Sequence, residues 1–241
     1  MNVATKSPNA PSPTQWVRRS EDRGRVKLGW LDSRHSFSFG SYHDPNFMGF
    51  GDLRVINEDR VVPGGGFGRH GHRDMEILSY VVDGGLGHQD STGANGVLRP
   101  GEVQVMSAGS GIEHSEMNGS EREPVHFLQI WVLPAQRGAA PGYQERDFGR
   151  TPGLTLLASP DGAGESLRIG QDTEVSRLLL STGDTAELQL RRPRAWVQVV
   201  GGRLDVNGTT LEPGDGLALE GATALAFAAR EDVEALVFDL R

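Results

Sequence analysis

Residues Gly64–Glu76 read GGGFGRHGHRDME and residues Ser110–Asn118 read SGIEHSEMN. Alternate residues of a β-strand face the same way. His70-Gly71-His72 therefore presents two imidazoles on one face, and His114-Ser115-Glu116 presents an imidazole and a carboxylate. If the two strands are neighbours, His70, His72, His114 and Glu116 converge on one point. That donor set suits a borderline first-row metal such as iron, nickel, copper or zinc. An octahedral ion would keep two positions open for chemistry, whereas a closed tetrahedral zinc would be a structural staple. The four glycines between Gly64 and Gly68 suggest a phosphate loop at first sight. No Lys-Ser/Thr follows and no helix start is visible, so that reading fails.

Around this stretch the chain is rich in turns, with 33 glycines among 241 residues and short alternating runs of Val, Leu and Ile, a pattern that favours a β protein. The length allows one large domain or two of ordinary size. The absence of cysteine excludes disulfides, iron–sulfur clusters and thiol nucleophiles. A formal charge of −8 argues against broad binding to nucleic acid or anionic membranes. The opening residues lack a signal-like apolar core and no run is long enough to span a membrane, so the expected home is the cytoplasm. With prolines at 8, 11 and 13, residues 1–20 are expected to form a flexible tail or arm.

Further along, the aromatics from Trp30 to Phe50 are expected to pack a core, with pocket lining as the alternative. His35 and His43 lack ligand-like partners at strand spacing and read as structural. His88, in a polar hairpin, reads as a supporting or structural group, and His126 as packing or a hydrogen bond at the rim. Ala, Gly, Pro and Arg accumulate from Pro134 to Gly153, where a linker is expected. The domains are thus 21–147, metal-binding, and 148–241. The second half echoes the first: SYVVDGGL (Ser79–Leu86) has a counterpart in VQVVGGRL (Val197–Leu204), and LRPGE (Leu98–Glu102) in LEPGD (Leu211–Asp215). Carrying the match backward puts Leu188 where His70 stands and Leu190 where His72 stands. The second barrel is expected to be metal-free, its centre filled with hydrocarbon.

Gly64, His70, His72 and Glu76 match the first cupin motif, Gly followed by His-x-His-x-x-x-Glu. Gly101 through His114 and Asn118 match the second loosely, with two extra residues before the histidine and Ser107 in place of a proline. The wording of Gly66–Gly84 and His88–Asn118, with WLDSRHSFSFGSYHDPNFMGFGDLRVINED upstream (Trp30–Asp59), resembles the pirin family in its bacterial, quercetin 2,3-dioxygenase-like branch. The resemblance is strong from Gly29 to Pro134 and faint in the C-terminal third. It implies an all-β bicupin, two antiparallel jelly-roll β-barrels face to face, with one mononuclear metal in the N-terminal barrel held by His70, His72, His114 and Glu116. Glu76 shares the strand parity of His70 and His72, and many cupins use the glutamate at that place as a ligand. The pirin resemblance and the His114–Glu116 spacing favour Glu116, leaving Glu76 as a supporting or pocket-wall residue. Glu113 and Glu121 read as solvated.

The resemblance also implies an activity: cleavage of the heterocyclic ring of flavonols such as quercetin by O2, with release of carbon monoxide and Glu116 as the base. The ion expected is Fe(II), with Ni, Cu, Mn, Co or Zn as alternatives. Some pirins look like metal- and redox-responsive partners of other proteins, which is the competing role. A merely structural metal is the third reading. An apolar cavity of flavonol size above the site would favour catalysis, and a sealed site would favour regulation.

Overall fold

The computed structural model describes residues 13–241. Its strands form two seven-stranded and two four-stranded sheets, paired into two barrels. The large sheet of the N-terminal barrel runs in the order β12 (Gly142–Asp147), β9 (Glu102–Ser107), β6 (Glu76–Asp83), β11 (Val125–Val132), β4 (Leu53–Val61), β3 (Leu31–His35), β2 (Gly24–Lys27). Its small sheet is β5 (Gly66–His72), β10 (Ile112–Asn118), β7 (Leu86–Asp90), β8 (Asn95–Leu98). The C-terminal barrel repeats the plan. Its large sheet is β1 (Thr14–Arg18), β20 (Gly216–Glu220), β17 (Arg194–Gly201), β22 (Val233–Leu240), β15 (Thr173–Leu180), β13 (Gly153–Ser159), β14 (Leu167–Arg168), and its small sheet is β16 (Thr185–Gln189), β21 (Ala224–Ala229), β18 (Leu204–Val206), β19 (Thr209–Leu211). The all-β bicupin architecture is thus present. No helix among the described residues is long and apolar enough to cross a membrane.

Strand parity explains how one sequence serves two cores. On β6, Leu78 and Tyr80 join Leu128 and Ile130 of β11 and Val103 and Val105 of β9 in an apolar layer that meets Trp196, Leu236 and Phe238 of the other barrel. The intervening residues, Ser79, Gln129 and Gln104, point into the N-terminal barrel. Large sheets covered on both faces read as near-continuous apolar runs, which is why EILSYVVD and VHFLQIWV are buried almost throughout.

The barrel interiors differ. One continuous apolar cluster fills the C-terminal barrel, including Leu178, Val197, Leu204, Leu225 and Phe227, with Leu188 and Leu190 packed against it. In the N-terminal barrel the apolar side chains split into two smaller clusters, one around Val81, Leu86 and Phe127 and the other around Ile77, Met106 and Ile112. Polar residues hold the space between.

Each barrel takes its edge strand from the segment that precedes the other barrel. β1 lies before the N-terminal barrel yet pairs with β20, Thr14 to Arg18 against Glu220 to Gly216. β12 lies before the C-terminal barrel yet pairs with β9, Gly142 to Asp147 against Ser107 to Glu102. Two expectations change as a result. Part of the tail or arm expected over residues 1–20 is a paired strand; residues 1–12 lie outside the described residues. The linker expected over Pro134–Gly153 also contains a strand. β12 is half-exposed or exposed throughout, so backbone pairing holds it without an apolar alternation to reveal it, whereas β1 also packs Trp16 on Phe47, Phe50 and Trp196.

Candidate metal centre

β5 and β10 are antiparallel neighbours, with His70 opposite His114 and His72 opposite Ile112. Along β10 the burial alternates, so that Ile112, His114, Glu116 and Asn118 point inward while Glu113 and Met117 are exposed. His114 is buried, and His70 and His72 are half-buried. The Nε2 atom of His114 lies 2.9 Å from Nε2 of His72 and 3.2 Å from Nε2 of His70. The Nδ1–H of His70 donates to the Gly68 carbonyl at 2.8 Å, which leaves its Nε2 as a bare lone pair aimed at the cluster. Burial and then the neighbouring His70 push the His72 pKa down to about 4, and burial with His72 and His70 pushes His114 to about 3. His72 and His114 are therefore neutral at pH 7, the state that ligates a metal. Right-angled ligands at about 2.1 Å from a first-row ion lie about 3 Å apart. The observed spacing of the nitrogens fits such an ion.

Glu116 stands one step back from this trio, its Oε2 3.9 Å from Nε2 of His114. Gln129 Nε2 donates to both of its oxygens, at 3.1 and 3.0 Å, and the Ser79 hydroxyl stands 3.2 Å from Oε1. Burial pushes the Glu116 pKa up to about 7, against the pull of the Gln129 and Ser79 hydrogen bonds. The carboxyl is thus able to take and return a proton near neutrality.

Glu76 is placed elsewhere. Its Oε2 accepts from Ser107 Oγ at 2.7 Å and from the Gly170 backbone N–H of the other barrel at 3.0 Å. The pocket-wall role expected for it is corrected: it fastens the two barrels. The turn over residues 73–75, with Asp74 at a φ of 52°, resets the parity between β5 and β6, so a rule carried through from His72 gives the wrong face.

An apolar pocket of about 510 Å³ opens over the cluster. Its walls include Trp30, Phe39, Phe67, Phe127 and Trp131, with His70, His72 and Glu116 at the floor and Asn57, Asp59 and Gln129 on one side. Trp131 meets the His72 ring edge-on at 4.9 Å and Phe39 at 5.0 Å, and Trp30 meets Phe67 at 5.1 Å. The upstream aromatics therefore serve both ends: Phe37 and Phe50 are core, whereas Trp30 and Phe39 line the pocket.

The other histidines have structural partners or lie outside the site. His35 Nε2 sits 2.7 Å from Ser33 Oγ, and His126 Nε2 lies 2.9 Å from Glu58. His88 stacks on Tyr143 and lies 2.9 Å from its hydroxyl. His43 is exposed. Sequence reasoning missed Ser79, Gln129, Asn57 and Asp59. The one available signal was a polar residue inside an otherwise apolar strand, as Gln129 is in VHFLQIWVL.

A family model described as Pirin matches residues 17–132, and one described as Quercetinase C-terminal cupin domain matches residues 156–240. The chain is 46% identical over 226 residues to the quercetin 2,3-dioxygenase of Escherichia coli K12, covering 93% of this chain and 98% of that protein. It superimposes on the crystal structure of YhhW from Escherichia coli with a TM-score of 0.92 at 45% identity, covering 95% and 98% of the two chains. The structure of the bacterial pirin YhhW in complex with nickel(II) gives a TM-score of 0.91 at 45% identity, over 94% and 99%.

Proposed function

This chain belongs to the pirin family, and on that premise we propose that it is a metal-dependent dioxygenase that opens the heterocyclic ring of flavonols such as quercetin. Both atoms of O2 enter the product and one ring carbon leaves as carbon monoxide. The observation that carries this reading is the open pocket of about 510 Å³, its apolar walls meeting His70, His72 and Glu116 at one end. That is the form of a small-molecule site, within the usual size of about 300–1,000 Å³.

His70, His72 and His114, with Glu116 as the fourth group, would hold one divalent ion. Fe(II) is our reading, and Ni, Cu, Mn, Co and Zn suit the same donors. When bound, such an ion supplies the positive charge that lowers the pKa of a hydroxyl at the site. The chain's own residues do the rest. Trp30, Phe67 and Trp131 clasp a planar aromatic and keep water off it. Glu116 accepts the proton of the substrate's 3-hydroxyl at a carboxylate oxygen. Gln129 and Ser79 keep that carboxylate turned toward the pocket, and its burial makes it basic enough for the transfer.

The test is oxygen uptake with quercetin on protein stripped of metal and reloaded anaerobically with each candidate ion, His114→Ala serving as the blank. Uptake that follows metal loading, vanishes in the blank and yields carbon monoxide is the expected result. No uptake with any ion would overturn the quercetinase reading and leave a metal- and redox-responsive, partner-binding role.

A further inference from the structure

Asn57 and Asp59 lie two residues apart on β4, so both side chains face the interior of the N-terminal barrel. Each is only 3% exposed, and Oδ1 of each has no hydrogen-bond partner in the protein. Such orphaned buried acceptors are exceptional in folded proteins and ask for an explanation. Both residues line the aromatic pocket, and both also line a smaller chamber of about 120 Å³ that shares Phe39 and Phe67 with it. A third unpartnered atom borders the same pocket, the Nε1–H donor of Trp131. Asn57 is the cross-strand neighbour of Gln129, the residue that holds Glu116. The unpaired acceptors therefore stand beside the reacting end rather than at a remote corner.

The Oδ1 atoms lack a donor, while the Asp59 carboxyl also engages the Ser33 hydroxyl. In the free protein the chamber has room for water to serve them. A ligand that displaces that water must bring O–H groups of its own, or the cost of leaving two acceptors bare falls on its binding. We propose that Asn57 and Asp59 are the hydroxyl-recognition subsite of this pocket, selecting polyhydroxylated aromatics over those that carry a single hydroxyl. The proposal rests on the flavonol reading and adds to it the means by which one flavonol is told from another. The apolar walls bind any planar ring; these two side chains ask whether its rim carries hydroxyls beyond the one at the metal.

Binding without turnover separates the two ideas. Zinc-loaded protein is titrated anaerobically with quercetin and with 3-hydroxyflavone, which keeps the 3-hydroxyl and the carbonyl but has no other hydroxyl. Quenching of tryptophan fluorescence, with Trp30 and Trp131 in the pocket wall, and calorimetry give the affinities. Wild type should prefer quercetin by about 10- to 100-fold, the worth of one or two hydrogen bonds to a charged or buried acceptor. Asn57→Leu and Asp59→Leu should each shrink that preference while 3-hydroxyflavone binds as before. Asp59→Asn, nearly isosteric and unable to ionise, repeats the comparison if a leucine variant fails to fold, and should weaken the preference in part. An equal affinity of wild type for both flavonols, or a preference that survives in all the folded variants, overturns the subsite and leaves the dioxygenase reading standing. Failure of wild type to bind either flavonol overturns both.

Discussion

Gln129 offers its amide N–H groups to both carboxylate oxygens of Glu116, at 3.1 and 3.0 Å, from a strand on the opposite side of the barrel. The amide oxygen of Gln129 is in turn 2.9 Å from the Ser79 hydroxyl, so the orientation of the carboxylate is set by two groups from the large sheet. Gln129→Leu should strip the carboxylate of its strongest constraint. Loss of such a supporting partner costs about 10- to 100-fold in metal affinity or activity. Metal analysis after dialysis, set beside oxygen uptake, checks it; unchanged values for both would mean that Glu116 needs no orientation.

Glu116→Gln keeps the shape of the side chain and removes its ability to take a proton. Three histidines remain, so the protein should retain its metal in part while flavonol-dependent oxygen uptake falls to the level of the blank. Turnover equal to wild type in the metal-loaded variant would sink the assignment of Glu116 as the base. His114→Ala removes the buried member of the trio and should lose metal and uptake together.

Glu76 tests the parity correction. Its carboxylate joins Ser107 to the Gly170 N–H across the barrel interface, and a side chain at Gly170 would crowd it, since a Cβ there would lie 2.8 Å from Glu76 Oε1. Glu76→Ala should lower stability by about 1–3 kcal/mol through the donors left unpaired, with metal content unchanged. A denaturant melt and a metal assay on the same sample decide it. Loss of metal with unchanged stability would return Glu76 to the metal site.

The contrast between Glu76 and the His-x-His pair shows what was legible. Two short strands with donors at alternate positions announce a shared face, and β5 and β10 are antiparallel neighbours with His70 opposite His114, although the register slips by one residue between His114 and Glu116. Parity survives only within a strand, so Asp74, in a left-handed turn, ends its reach before Glu76. Asn57 and Asp59 were hidden for a different reason. On β4 nearly every residue from Leu53 to Val61 is buried, so their inward direction has no exposed neighbours to mark it. The strand β12 was illegible because an edge held by its backbone needs no apolar face; β1 was illegible because its one large apolar anchor, Trp16, sits among polar residues. The repeat was legible in its turns, LRPGE and LEPGD, which shape the chain the same way in both barrels.

That repeat predicts where hydrocarbon replaces ligands. Leu188 pairs with Leu225 across β16 and β21 as His70 pairs with His114 across β5 and β10. Leu225 is fully buried and Leu188 half-buried, the same gradient that separates His114 from His70. Leu225→Ala should therefore cost about 2–5 kcal/mol, and Leu188→Ala less, because its outer side can relax toward solvent. Equal losses at the two positions, measured by denaturant unfolding, would count against the correspondence between the barrels.

His35 supplies the pH test. Burial pushes its pKa down to about 4, against a hydrogen bond from its ring to the Phe39 backbone that favours the charged ring, and Arg23 nearby lowers it further. The unfolded chain takes up the proton near pH 6.5 while the folded chain resists it. Between those values the unfolded state binds more protons, so the contribution of His35 is fully present above pH 6.5 and is lost as pH falls toward 4. Its imidazole resonances in the zinc-loaded protein should titrate with a midpoint near pH 4. His35→Gln, which keeps a polar group near Ser33 but does not titrate, should flatten the fall in stability across the same window. A midpoint near 6.5 would show that the ring is open to water and that its place beside Ser33, Phe39 and Tyr42 is looser than the packing implies.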